Sequence, residues 1–435
     1  MTDFLSGIGI EHVTLLIVTA TLVIFLMDRI PIALTALISS IVLALLGAME
    51  FKQVYSGFAT PVTLLVFGML IVGYALFETG AITILGKKIL KSRVARNERA
   101  LLGVLMLVAG IASAFLSNTA LMATFIPLVG GMVVTAKGHL TNKNLLMPLG
   151  MAASVGGTIT LVGSTSQPVA SGIMSESGYG ELGMFDFAPI AIPMLLVLIL
   201  YMMTFGYNME KKFFKFEDKN TVGANGAGGS EGTLDVKVTW KTWVSTLTLI
   251  FCVLSFMFGL LPIEITALIG AAIVLATRCI DFKKAMAQLD WNTVLLIAFA
   301  QGIAAGMNDS GAGALVGEWS VAIVGDNPVV LLTIAVVITV VLTNIMSNTA
   351  VAAMMVPIFI SIAVGVGYHP FVFVLAIAIA SNASIATPIG GTAMSQTLVA
   401  GYGFRDYLKL GAPITAVLTI MIAVITPLVF GFPQL

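Results

Sequence analysis

Apolar stretches of membrane-spanning length recur along the whole chain, separated by short polar segments. A spanning helix needs about 20 predominantly apolar residues, and the pattern predicts ten spans. They cover residues 13–27, 31–49, 61–79, 145–175, 187–207, 242–261, 263–279, 291–309, 370–400 and 410–432. No basic residue precedes the first span, so we interpret it as a retained span rather than a signal peptide. The pattern predicts an all-α polytopic membrane protein in a lipid bilayer.

Two further apolar stretches, 100–136 and 329–366, each carry a polar tetrapeptide near the middle. Ser-Asn-Thr-Ala occupies 117–120 and returns at 347–350, and a proline lies ten residues after each serine. Three hydrogen-bonding side chains in a row are costly at this depth unless protein or a water-filled cavity surrounds them. We therefore predict that each stretch is a re-entrant hairpin with the tetrapeptide at its tip, rather than two full spans.

The repetition is wider than the tetrapeptide. Residues 78–81 resemble 309–312, and the spacing of small and hydroxyl residues over 153–163 returns over 380–390, always near an offset of 230. Each half then contains three spans, a re-entrant hairpin and two more spans, the first of which is broken. Five spans is an odd number, so the second half starts from the opposite face of the membrane. Such an inverted-topology repeat is a common plan of secondary transporters.

Composition and charge agree with this arrangement and orient it. The chain is 58% hydrophobic and 10% charged, with a mean hydropathy of +1.06, far from a soluble domain. The formal net charge is zero, yet with re-entrant hairpins every lysine and arginine except Lys52 falls on one face. The positive-inside rule makes that face cytoplasmic. We expect a protein of the cell (inner) membrane with both termini on the non-cytoplasmic side. Two full spans in place of each hairpin would give the same sidedness.

Three connecting segments lie outside the spans. Residues 81–99 are basic and predict a cytoplasmic surface helix. Residues 209–240 are charged and then glycine-rich, which is typical of a flexible cytoplasmic linker. Residues 312–328 occupy the position equivalent to 81–99 in the second half and predict a connecting helix at the outer face.

A hydroxyl residue lies one helical turn before each tip serine. Ser113 precedes Ser117 by four positions, and Thr343 precedes Ser347 by four. Residues at i and i+4 share one helix face, so each hairpin offers hydroxyl and amide oxygens at its break. Such hard oxygen ligands, completed by carbonyls of unwound backbone, suit a small alkali cation. Small polar residues could instead serve only close helix packing, but two copies with matching spacing favour the cation.

Glycine and proline interrupt two other spans, at 156–168 and 387–392. Such breaks free carbonyls and N–H groups, and the helix N-termini that follow them favour an anion. No Arg, Lys, Asp, Glu or His lies inside either hairpin or either broken centre. A proton-coupled carrier usually needs an ionisable relay at this depth. Sodium-coupled anion symport therefore fits the sequence better than proton antiport.

Other function classes find little support in the sequence. Its two cysteines and three histidines have no disulfide or metal-ligand spacing, and no nucleophile–base pair is visible. We expect no enzymatic activity, no organic cofactor and no nucleic-acid partner. A channel is also disfavoured, because two tips that meet at mid-depth would close a pore.

Paired Ser-Asn-Thr hairpins in an inverted repeat resemble the divalent anion/sodium symporter family, the INDY-type carriers of the ion transporter superfamily, over nearly the whole chain. The resemblance implies sodium as coupling ion in two symmetry-related sites, and a dicarboxylate, tricarboxylate or sulfate between the tips. It also implies a homodimer that works by an elevator motion. The scaffold would be residues 1–80 and 241–311, and the transport part would be 100–208 and 329–435.

The same resemblance assigns site residues by position. The first sodium site would use Ser113, Ser117, Asn118 and carbonyls near Gly163. The second would use Thr343, Asn348 and carbonyls near Gly390. The substrate would contact Asn118, Thr119, Ser164, Asn348, Thr349 and Gly391.

One departure from the family leaves the anion open. Dicarboxylate members usually carry a Thr-Pro-Pro-Asn-like run in the second broken helix, where this chain reads Gly-Gly-Thr-Ala at 390–393. A related carrier of the same architecture, such as an arsenite exporter or a sodium/proton antiporter, is the alternative function.

Overall fold

The computed structural model of the chain describes residues 9–27, 29–84, 97–135, 139–214, 216 and 238–435. Within these residues the regular elements are helices, and Tyr368 and Gln434 form an isolated antiparallel bridge. The predicted all-α fold is confirmed.

The helices of the first half follow the predicted order of spans and hairpin. They are α1 (Ile10–Met27), α2 (Ile32–Leu45), α3 (Gln53–Ser56), α4 (Pro61–Glu78), α5 (Glu98–Ser113), α6 (Asn118–Thr135), α7 (Asn142–Gly156), α8 (Ser166–Glu176) and α9 (Ala188–Phe213). A π-helical turn, Met202–Gly206, lies inside α9.

The second half repeats this order. Its helices are α10 (Trp240–Phe258), α11 (Ile263–Ala276), α12 (Phe282–Gln288), α13 (Trp291–Asp309), α14 (Ala312–Val324), α15 (Pro328–Thr343), α16 (Asn348–Gly365), α17 (Phe371–Ala380), α18 (Thr392–Gln396) and α19 (Phe404–Phe430).

Contacts between the two halves are reciprocal. Helix α4 packs against α11, and the equivalent α13 packs against α2. Likewise α8 packs against α16, and the equivalent α18 packs against α6. Equivalent surfaces that exchange contacts in this way are what a two-fold relation produces. These contacts support the internal repeat, and the inversion of the halves across the membrane stays a prediction.

Within the part of the chain that the structure describes, five helices are long and apolar enough to cross a membrane: α4, α9, α10, α16 and α19. Helices α12 and α13 would together make a sixth span, bent by 62°. Six shorter apolar helices, α1, α2, α6, α11, α15 and α17, account for most of the other predicted spans and hairpin arms. Several of the ten predicted spans therefore correspond to helices that are shorter than an uninterrupted membrane span.

Helices α2 and α11 are short because a left-handed residue ends each of them. Gly47 has a φ of 79° after α2, and Arg278 has a φ of 52° after α11. The N–H of the next residue bonds back to the helix in both places, Ala48 N to Leu43 O at 3.0 Å and Cys279 N to Val274 O at 2.9 Å. This is the Schellman ending, repeated in both halves. The predicted spans 31–49 and 263–279 thus each include a terminal turn.

The connecting segments agree in part with the predictions. Helix α9 continues to Phe213, so the start of the predicted linker 209–240 is helical, and its residues 215 and 217–237 lie outside the described residues. Residues 85–96 of the predicted surface helix 81–99 are also outside the described residues. Helix α14 occupies most of the predicted connecting helix at 312–328. The last span begins at Phe404, earlier than predicted, because Gly403 N–H donates to Asp406 Oδ2 at its start.

Four breaks in the helices come together at the centre of the molecule. The hairpin tips lie between α5 and α6 and between α15 and α16, and the broken spans open between α7 and α8 and between α17 and α18. In each half, a threonine of the broken span hydrogen-bonds to a backbone carbonyl at the hairpin tip. Thr160 Oγ1 donates to Ala114 O, and Thr387 Oγ1 donates to Asn344 O at 2.6 Å. Both bonds replace helix hydrogen bonds that the breaks remove.

Candidate functional site

A cavity of about 220 Å³ lies where the four breaks meet. Its lining includes every residue that the sequence assigned to the substrate: Asn118, Thr119, Ser164, Asn348, Thr349 and Gly391. These residues come from four separate breaks and from both halves of the chain. The structure therefore brings the predicted substrate residues together around one space.

The cavity collects the N-terminal ends of helices. Helices α6 and α16 begin at Asn118 and Asn348, which line it, and α8 and α18 begin within one residue of Thr165 and Gly391, which line it as well. The first N–H groups of a helix lack partners within the helix and carry a partial positive charge. Ser347 Oγ satisfies one of them by accepting from Ala350 N at 3.3 Å. Such ends provide binding sites for anions.

Two threonine pairs join the halves across the cavity. Thr119 Oγ1 and Thr392 Oγ1 lie 2.7 Å apart, and Thr349 Oγ1 hydrogen-bonds Thr165 Oγ1 in the equivalent position. The tip threonine of each half thus contacts the broken span of the other half. Sequence reasoning missed Thr165 and Thr392. The repeat could have found them, because both lie two residues after an aligned glycine.

The first predicted sodium set is partly assembled at the tip of α5. Ser113 Oγ contacts Asn118 Oδ1 and donates to Ala153 O at 2.7 Å. A Cβ at Gly163 would lie 2.7 Å from Ser113 O and 2.8 Å from the next carbonyl oxygen, so only glycine fits there. Ser117 lines the cavity and is not among the described contacts of this cluster.

The second predicted sodium set forms a denser cluster of oxygen atoms. One terminal atom of the Asn348 amide lies within 3.0 Å of four oxygens. They are Thr343 Oγ1 at 2.8 Å, Ser384 Oγ at 2.8 Å, Gly390 O at 2.9 Å and Ser381 O at 3.0 Å. The structure thus brings together Thr343, Asn348 and Gly390 as predicted, and it adds Ser381 and Ser384.

Each cluster brings one hydroxyl next to two other polar groups. Ser113 Oγ approaches Asn118 Oδ1 and Ala153 O, and Thr343 Oγ1 approaches the end of the Asn348 amide and Ser381 O. A turned Asn348 amide would donate to Thr343 Oγ1, Gly390 O and Ser381 O and satisfy the second cluster without an ion. Hydroxyl, amide and carbonyl oxygens are also the donor set that hard cations prefer.

Asn382 links the two halves through residues that line the cavity, and the repeat has no equivalent of it. Its buried side chain accepts from Ser164 Oγ at 2.6 Å and from Asn348 Nδ2 at 3.2 Å. Its amide nitrogen donates to Ser166 Oγ at 2.5 Å. The aligned position in the first half is Val155, so comparison of the halves could not have found this residue.

Helix α4 supplies a largely apolar part of the cavity wall. Val66, Met69, Leu70, Tyr74 and Phe77 line the cavity there. Among the described lining residues, no lysine, arginine or histidine is present, and the charged side chain is that of Asp290.

A family model described as citrate transporter matches residues 22–378 and, in a second match, 256–435. The chain belongs to the citrate transporter family (CitMHS). It is therefore a multi-pass membrane transporter and not an enzyme, as the sequence predicted. The family agrees with the predicted resemblance to the divalent anion/sodium symporters of the ion transporter superfamily.

Curated relatives of this transporter cover most of its length. An uncharacterized transporter of Haemophilus influenzae is 26% identical over 419 residues, 92% of this chain and 88% of the relative. The uncharacterized transporter MJ0672 of Methanocaldococcus jannaschii is 26% identical over 406 residues, 92% of this chain and 89% of the relative. The sodium-dependent dicarboxylate transporter SdcS of Staphylococcus aureus is 25% identical over 424 residues, 88% of this chain and 78% of the relative.

Two solved structures share the fold of this transporter. The YdaH transporter of Alcanivorax borkumensis superposes with a TM-score of 0.60 at 16% identity, covering 88% of each chain. MtrF of Neisseria gonorrhoeae superposes with a TM-score of 0.58 at 17% identity, covering 88% of this chain and 83% of its own. At such identities the likeness concerns the fold alone.

Proposed function

We propose that the protein carries a small divalent anion (a dicarboxylate, tricarboxylate or sulfate) together with sodium, by an elevator motion of the transport part against the scaffold. The observation that carries this proposal is the central cavity itself. Helix N-termini and threonine hydroxyls line it in symmetric pairs, and an oxygen cluster adjoins it in each half.

The anion is supported by the donors available around the cavity. Neutral hydroxyls and the positive ends of helices can bind an anion without a lysine or arginine. The four threonine hydroxyls form two equivalent pairs, and each pair contains the threonine of one tip. Co-transported cations would offset the charge of the anion, so that the loaded transport part could move through a low-dielectric region at smaller cost.

Sodium is supported by the oxygen clusters and by one relative. Each cluster would bind one ion through a tip hydroxyl, a tip asparagine and backbone carbonyls, as the predicted sets require. The Staphylococcus aureus relative is named a sodium-dependent dicarboxylate transporter. The homodimer that the resemblance implies belongs to the same proposal.

Transport assays with purified protein in proteoliposomes test the proposal. Labelled succinate, citrate and sulfate are offered with an inward sodium gradient, with potassium in its place, and with sodium on both sides. We expect at least one anion to accumulate only with the sodium gradient. Uptake that ignores sodium for every anion would contradict the coupling, and proton release on sodium addition would favour the antiporter alternative.

A further inference from the structure

The cavity reaches the surface beside Asp290 and Asn292, which line it and are exposed. On the other side α8 packs against α13, with Gly172 close to the buried Gln301. The equivalent space, between α18 and α4, is occupied by the cavity. Within the described residues, the cavity is thus open toward the Asp290 end.

A negative charge stands at this opening. Asp290 immediately precedes α13, where its carboxylate accepts from Thr293 N at 3.2 Å and Thr293 Oγ1 at 2.5 Å. Lys284, on the preceding helix α12, pairs with Glu78 at 2.7 Å. No basic residue is among the described residues that line the cavity. An anion that leaves the cavity at this opening would therefore pass the carboxylate of Asp290.

The other half of the repeat has no such charge. Thr60 immediately precedes α4 as Asp290 precedes α13. Its hydroxyl donates to Gly57 O at 3.0 Å and accepts from Gln301 Nε2 at 3.2 Å. By the two-fold relation, Thr60 would border the opening when the transport part faces the other end. The anion would then meet a neutral residue.

We propose that Asp290 is a release residue, which weakens anion binding in the state open toward its own end and not in the opposite state. The inference rests on the proposed anion transport. Helix N-termini and threonines travel with the transport part and hold the anion in both states. Asp290 belongs to the scaffold and repels the anion in one state, so the carrier has unequal anion affinities at its two faces.

Asp290→Asn tests this inference, because asparagine is an equally good helix N-cap without the charge. Half-saturating anion concentrations are measured on each face, with right-side-out and inside-out membrane vesicles, for the anion that the wild type transports. We expect the substitution to lower the half-saturating concentration about threefold to tenfold on the face nearer Asp290, as one charge would for a divalent anion in a wet cleft. The opposite face should be unchanged.

Matched controls separate charge from structure. Asp281→Asn makes the same change, removing the charge and keeping the cap, at α12 (the Asp281 side chain accepts from Lys283 N and Lys284 N). Asp281 is not among the described residues that line the cavity, so this variant should shift neither face. Asp290→Glu should keep the wild-type asymmetry. Thr60→Asp, added to Asp290→Asn, should raise the half-saturating concentration on the opposite face. The effect of Asp290→Asn should also shrink as ionic strength rises, because salt screens charge.

Three results for Asp290→Asn would each overturn the release role. They are equal shifts of the half-saturating concentration on both faces, no shift on either face, and a shift that does not depend on ionic strength. A wild-type protein that moves none of the anions would instead refute the proposed function, so the two failures are distinguishable.

Discussion

At the scale of single residues, each oxygen cluster contains one hydroxyl that lies one turn before a tip, Ser113 or Thr343. Each hydroxyl contacts the tip asparagine of its own half and a backbone carbonyl. The proposed sodium sites would use both hydroxyls as ligands.

Removing either hydroxyl should weaken sodium binding. Ser113→Ala and Thr343→Ala each delete one oxygen ligand at a cost of about 1–3 kcal/mol, so half-saturating sodium in uptake should rise on the order of tenfold. The resemblance also assigned Ser117 to the first sodium site, but this serine is not among the described contacts of the cluster, so Ser117→Ala should have a smaller effect. An unchanged sodium dependence in both alanine variants, in proteoliposomes, would contradict the cation assignment.

The threonine pairs should act on the anion instead. Thr119→Val and Thr349→Val keep the shape of the side chain and remove the hydroxyl, so the half-saturating anion concentration should rise at constant sodium dependence. The pairs predict coupling as well. In a double-mutant cycle, Thr119→Val with Thr392→Val should be non-additive, whereas Thr119→Val with Thr165→Val should be closer to additive. Equal coupling in both combinations would argue against the observed pairing.

At this scale the sequence predicted most, but not all, of the polar residues that the structure brings together around the cavity. The paired tips could be predicted because three consecutive polar residues are costly in a long apolar stretch, and their repetition in both halves indicated a shared role. Thr165 and Thr392 were accessible to the same comparison. Asn382 was not, because Val155 takes its place in the other half, and a single buried amide gives no periodic signal.

At the scale of elements, the candidate site lies where the helices are broken. Glycines at these breaks allow the close backbone contacts on which the site depends. The backbone of Gly163 and Gly390 approaches the tip carbonyls so closely that a Cβ would collide, at Gly390 with Thr343 O and with Ser384 Cβ. Each broken span can therefore reach the tip of its own half only through a glycine. The sequence showed where the breaks occur. It did not show that α2 and α11 end early, because the left-handed Arg278 carries no glycine signal.

Gly390→Ala and Gly163→Ala should abolish or strongly reduce sodium-driven uptake, because either the tip or the broken span must shift. Gly403→Ala is the control, since a Cβ there would meet only Asp406 Oδ2 at 3.6 Å. Thermal unfolding with and without sodium distinguishes loss of the site from loss of the fold. We expect both site variants to remain folded and to lose most of the sodium-dependent rise in melting temperature. Full sodium stabilisation of either variant would show that the close approach is not required.

At the scale of the whole molecule, equivalent helix pairs of the two halves are arranged differently. Helix α8 contacts α13, whereas the cavity lies between the equivalent α18 and α4. The proposed elevator motion of a transport part against a scaffold would exchange these two arrangements. The sequence repeat predicted which helices are equivalent. It could not predict which pair is in contact, because both halves carry the same pattern.

A reversible cross-link between the two parts tests the motion. Gly172→Cys with Gln301→Cys, in a background that lacks the buried Cys252 and Cys279, would join α8 to α13 on oxidation. We expect oxidation to stop transport and reduction to restore it, because the transport part cannot leave the scaffold while linked. Transport by the single-cysteine variants should be unchanged by the oxidant. Full transport by a quantitatively cross-linked protein would exclude a motion that separates these helices.

The asparagines at the tips have a further consequence, since each would belong to both a proposed sodium site and the proposed anion site. Asn118 and Asn348 lie in the oxygen clusters and also line the cavity. An ion that fixes the orientation of the amide has already met the entropy cost of ordering it. The second ligand then binds without that cost. Binding free energies are then linked, and the linkage is reciprocal. The anion should tighten sodium binding by the same factor by which sodium tightens anion binding, which would disfavour half-loaded carriers and the uncoupled leak that they allow.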